Sequence, residues 1–155
     1  MDIYLIIKTI HIISSTVLFG TGLGTAFFML SSYFTQNIHE KFFAARTTVL
    51  ADYFFTAPAV LIQPLSGIWL VMNGGFDPMA PWLAWTYGLY ILAGICWLPV
   101  VWIQIRLKSL VANSIKNNEP LPEQYNKFFK IWFMLGWPAF FSLVIIFFLM
   151  VMKPY

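Results

Sequence analysis

The sequence predicts an all-α integral membrane protein, a four-helix bundle whose N-terminus and C-terminus share the outer face of the membrane. Three observations predict it. Of 155 residues, 60% are hydrophobic and only 10% are charged, with a mean hydropathy of +0.76, whereas a soluble domain carries roughly 25% charged residues. The apolar residues gather into four segments, each near or above the ~20 residues that a bilayer core requires. Basic residues fall beside alternate connections and so define an orientation. Together these predict one domain over 1–155, with no room for an appended soluble module and no internal repeat.

The first span is expected at about 3–34. A secretory signal would need a shorter apolar region of about 7–15 residues and a small-residue cleavage site. Phe27-Phe28-Met29-Leu30 offers no such site, so the segment is expected to remain as a span. The second span is expected at 47–72, with Pro58 and Pro64 kinking it and the Gln63 amide meeting carbonyls that the kink frees. Asn73-Gly74-Gly75-Phe76-Asp77-Pro78 reads as a tight turn leading to a third span at 82–107. Asn117-Asn118-Glu119-Pro120-Leu121-Pro122 ends the longest polar connection and opens a fourth span at 128–152, with Gly136 and Pro138 kinking it.

Lys41, Arg46, Arg106, Lys108, Lys116, Lys127 and Lys130 lie in or beside the first and third connections, while only Lys8 and Lys153 lie toward the termini. Positive residues remain inside, which places those connections in the cytoplasm and both termini outside. The net charge of +3 serves orientation, not nucleic-acid binding. Cys96, the single cysteine, excludes an internal disulfide and reads as a packed residue. Gly20 and Gly24, spaced Gly-x-x-x-Gly, let a helix approach closely, within the bundle or between copies in a homo-oligomer. The tract Gly20-Thr21-Gly22-Leu23-Gly24 follows no strand and is not a dinucleotide loop.

Ionisable groups inside a membrane cost about 2.5–3.5 kcal/mol each and call for a reason. His11 is the one histidine in a span. Lys8 lies three positions before it and Ser15 four after, so the three share a helix face that Tyr4 and Gly22 extend. Such a stripe suits a flat or bulky ligand; the plainer alternative is an imidazole bonded to a neighbouring helix, with Lys8 reaching the headgroups. Lys153, Trp69 and Met72 fall at the same outer level. Imidazole and thioether are axial ligands of haem, and lysines suit its propionates. A hydrolytic zinc site would want three protein ligands, and copper could use His11 with Met72 or Met152. On the other side Asp52 is expected to pair with an arginine or lysine. His39, beside Glu40 and Lys41, reads as solvated.

Lys8-Thr9-Ile10-His11-Ile12-Ile13 resembles the opening motif of HemJ-type membrane proteins. Thr56-Ala57-Pro58-Ala59 with Gly67-Ile68-Trp69-Leu70 resembles their second span, and Met152-Lys153-Pro154-Tyr155 their terminus. The stretches from Phe19 to Phe28 and from Cys96 to Trp102 resemble more closely still a bacterial family of predicted integral membrane proteins of unknown function. That family looks related to HemJ and to CopD-like copper-resistance proteins. The resemblance implies a haem-binding, oxidoreductase-type protein of the bacterial cytoplasmic membrane, with His11 as iron ligand and Lys8 and Lys153 in the same site. It further implies protoporphyrinogen oxidation, or electron exchange with quinone or another respiratory-chain component. The sequence departs from the HemJ pattern at Met29-Leu30-Ser31-Ser32-Tyr33 and has no histidine in its third span. CopD-like copper or small-solute handling, and a non-enzymatic membrane subunit, are the alternatives.

Overall fold

A computed structural model describes residues 2–154. Tyr155, the last residue of the closing motif, lies outside the described residues. Four helices long and apolar enough to cross a membrane account for most of the chain: α1 (Ile3–Phe34), α2 (Ile38–Asn73), α3 (Pro81–Asn117) and α4 (Glu123–Met152). The all-α, four-span expectation holds. Asp2 caps α1 by accepting from the Tyr4 amide, and Asn37 caps α2 by accepting from the His39 amide. Gly75 takes the positive φ of 69° that the turn before α3 requires, and Asn118 closes α3 in the left-handed region.

The first helix covers 3–34 as expected, and the other three outrun their expected spans. At about 1.5 Å per residue, α2 and α3 reach roughly 54 Å, well beyond an apolar core of about 30 Å. Residues 38–46 and 108–117, expected as polar connections, are helix. The reason is packing. Lys41, Ala44, Ala45 and Thr48 are buried at the i, i+3, i+4, i+7 spacing of one helical face, and Val100, Ile103, Leu107 and Val111 form the facing stripe of α3. With Met29, Tyr125, Phe129 and Trp132 they make one apolar core. Leu107 and Val111 are wholly enclosed.

Lys41 is buried in that core's rim. Its Nζ donates to the carbonyls of Ser32 at 2.9 Å and Tyr33 at 2.7 Å. These are orphan acceptors at the C-terminal end of α1, where a cation is favoured. The rings of Tyr33 and Tyr125 flank the same ammonium at 5.5 and 5.6 Å.

Prolines shape α2. Pro58 has no N–H and crowds the carbonyl four residues back. Just before it, Asp52–Thr56 widens into a π-turn closed by the Ala57 amide bonding to the Asp52 carbonyl. Pro64 likewise leaves the Val60 carbonyl without its helical donor, and Tyr90 on α3 supplies one, Oη to O at 2.7 Å. The freed carbonyl is met by Tyr90, not by Gln63 as expected, because the Gln63 side chain turns the other way, toward α1.

Beyond the π-turn, the part of α2 that leads to the Asn73–Pro78 turn approaches α1, while α3 stays with α4. The fold is thus two hairpins, joined in the half that holds the first and third connections. In the half that holds the termini they meet only locally, through the Tyr90 bond, the Phe19 ring against Phe140 and Phe147, and a small cluster of Val71, Trp82 and Leu83. A Cβ built on Gly20, Gly22 or Gly24 would meet nothing within 4 Å. Among the described residues, the glycine face therefore makes no close helix approach.

Candidate functional site

His11 faces α2. Its Nδ1 lies 2.8 Å from Ser66 Oγ, and a Cβ on Gly67 would fall 3.2 Å from its Cε1. Gly67 therefore leaves the room that the imidazole fills. Gln63 Nε2 donates to the His11 carbonyl at 2.7 Å and to Ser14 Oγ. Two helices are thereby stapled by an amide, two hydroxyls and an imidazole, as polar groups do inside a membrane.

The network assigns the tautomer. Ser66 Oγ has one proton and sits 2.6 Å from the Ile62 carbonyl, which can only accept. With that proton given to Ile62, the hydroxyl accepts from His11 Nδ1–H. In the neutral ring Nε2 then keeps its lone pair. A ligating histidine is commonly held in this way, with its other nitrogen donating to a fixed acceptor.

The remaining expected residues distribute around this point. Trp69 is half-buried on the same face of α2 and lies 6.3 Å, ring to ring, from Tyr4. A Cβ on Gly74 would fall 2.9 Å from the Tyr4 hydroxyl and 2.8 Å from the Phe76 ring, so the turn closes tightly over the start of α1. Lys8 is exposed one turn before His11. Lys153 bends back over the same turn, its Nζ 4.5 Å from the Phe76 ring centroid and 5.9 Å from that of Trp82. Met72 is 76% exposed. Ser15 bonds its own Ile12 carbonyl at 2.7 Å, and Ser14 takes the place beside His11 that the spacing assigned to Ser15. Among the described residues, no three His, Cys, Asp or Glu side chains gather as metal ligands.

The structure brings His11 and Trp69 onto one α1–α2 face and anchors Lys153 on the turn where that face ends. Sequence reasoning missed Ser66 and Ser14. The signal was present: Gln63, Ser66 and Gly67 are the small and polar residues of one turn of α2, at the depth of His11.

A second feature lies between the hairpins. A cavity of about 430 Å³ is lined almost wholly by apolar side chains, with Asp52, Thr56, Tyr90, Gln104 and Trp132 among them. Asp52 was expected to pair with a basic residue. Its Oδ1 instead accepts from Thr56 Oγ1 at 2.8 Å, because the π-turn sets the carboxyl inward, away from the basic helix ends.

The sequence model of a family described as "Predicted integral membrane protein (DUF2269)" matches residues 5–154, and the chain belongs to that family. No curated protein and no solved structure matches it.

Proposed function

We propose that this member of the DUF2269 family is a haem-binding membrane redox protein in which His11 Nε2 ligates the iron. One observation carries the reading: Ser66, committed to the Ile62 carbonyl, holds the ring by Nδ1 and leaves Nε2 as the free base. The motif likeness to HemJ at Lys8–His11 and at Lys153 supports it. The residues present suit such a group. Gly67 admits the imidazole edge, and Lys8 offers an exposed cation one turn away for a carboxylate. Bound haem would supply one-electron chemistry tuned by its axial ligand. The chain's own part is to fix the imidazole between two helices and to keep water from it.

In this reading the termini face outward by the positive-inside rule, in a bacterial cytoplasmic membrane. The electron partner is a quinone or a respiratory-chain component, and porphyrinogen oxidation is the activity that the HemJ likeness suggests. The test is the spectrum of the full-length protein purified from haem-replete cells. A Soret band and a pyridine haemochrome are expected in the wild type, both lost in His11→Ala. A colourless protein that takes up no added hemin would overturn the proposal.

A further inference from the structure

We infer that the cavity between the hairpins is a second binding site, for a lipid-soluble aromatic molecule with a hydroxyl head, a phenol or hydroquinone. The inference is independent of His11, which does not line this cavity.

Three polar side chains that line the cavity each have one buried atom without a hydrogen-bond partner among the described residues: Asp52 Oδ2, Gln104 Oε1 and Trp132 Nε1. Asp52 is 6% exposed, Gln104 4% and Trp132 5%. A buried polar group left unpaired costs about 1–3 kcal/mol, and in a membrane ionisable side chains cluster on ligand and proton routes. The three orphans belong to side chains around one cavity, beside a π-turn of the kind found at functional sites.

The orphans also describe their guest. Two are acceptors and one is a donor. A hydroxyl gives one proton and accepts through its lone pairs, so it can donate to one of the two acceptors while accepting from Trp132; Gln104 itself hydrogen-bonds the Asp52 carboxyl. An ammonium has donors only and would leave the indole N–H unmet. A simple hydrocarbon would satisfy none of the three. The rest of the wall is aromatic and aliphatic, including Phe19, Trp97 and Trp137, which suits the face of an aromatic ring. The volume falls within the usual range of small-molecule sites, about 300–1,000 Å³.

Tritiated 1-naphthol is the probe, measured by equilibrium dialysis against the full-length protein in lipid nanodiscs, with empty nanodiscs subtracted. Saturable binding at one equivalent is expected, at least ten-fold tighter than naphthalene competes. Asp52→Asn and Gln104→Leu should each weaken it ten-fold or more, while Leu61→Ala, at an exposed position outside the cavity wall, leaves it unchanged. Should Asp52→Asn fail to fold by circular dichroism, Gln104→Leu and Trp132→Phe decide. The inference is overturned if naphthalene competes as well as naphthol, or if Gln104→Leu and Trp132→Phe both bind normally. It is overturned also if 1-naphthylmethylammonium binds ten-fold tighter than naphthol, which would mark a cation site. Loss of the Soret band in His11→Ala with naphthol binding retained would separate the two sites.

Discussion

At the level of Leu107 and Val111 the two hairpins share one dry core, whereas at the level of His11 they part and single hydrogen bonds take over. The first region is held by buried area. Met29, Leu107, Val111 and Phe129 interlock with little or no exposure, and even the lysine there is spent on capping α1. The second region is held by direction. His11, Ser14, Gln63 and Ser66 clasp α1 to α2, and Tyr90 reaches across from α3 to the Val60 carbonyl. Lipid is as apolar as leucine, so burial by itself does little to bring helices together in the membrane. Packing between helices must come from close fit, and the half that holds the termini trades that fit for polar contacts and open space. The difference teaches where a polar group can be left open: the half with its fold secured elsewhere can leave an imidazole nitrogen free.

Mutations can break this contrast. The largest effect is expected from Leu107→Ala, which removes a wholly buried side chain and should destabilise the protein by about 2–5 kcal/mol. Leu61→Ala, at a position 66% exposed, should change stability by well under 1 kcal/mol. Unfolding in mixed detergent micelles followed by circular dichroism compares the two, and equal effects would mean that the inner core is not what holds the bundle. Lys41→Met comes next, since it strips two carbonyls at the end of α1 of a charged donor. About 2 kcal/mol is expected, with hydrogen exchange rising first in residues 30–34. Tyr90→Phe should follow at about 1 kcal/mol, within the range of hydrogen bonds measured between membrane helices; the same micelle assay reads it. Met72→Ala should be silent to within about 0.5 kcal/mol, and a larger loss would place the Met72 thioether in a contact that the fold does not give it.

Much of this contrast was legible in the sequence, though unevenly. Four spans follow from hydropathy, and the Asn73–Pro78 turn follows from its glycines. The helical extensions were hidden because a hydropathy reading takes Lys41, Arg46, Lys108 and Lys116 for loop. Helical spacing would have found them, as Lys41, Ala44, Ala45, Thr48 and Asp52 fall on one face. At the site, His11 stood out as the one imidazole in a span, but its partners were ordinary serines, and no spacing within α1 points to residues 63–67 of another helix. The i+4 rule favoured Ser15; the actual tilt of α1 favoured Ser14. Asp52 was misread because Arg46 lies less than two helical turns before it and Arg106 is expected near the same end of the bundle. The π-turn that rotates it inward immediately precedes Pro58 and packs against α1.

The central claim is that the terminal half carries the site while the other half carries the fold. Titrating hemin into purified wild-type, His11→Ala and Leu107→Ala proteins, each at a temperature where it remains folded, tests it most directly. One equivalent should give a saturating Soret band in the wild type and in Leu107→Ala, with at least a ten-fold loss of affinity in His11→Ala. Equal saturation of wild type and His11→Ala would contradict the account, and so would a wild-type protein that takes up no hemin.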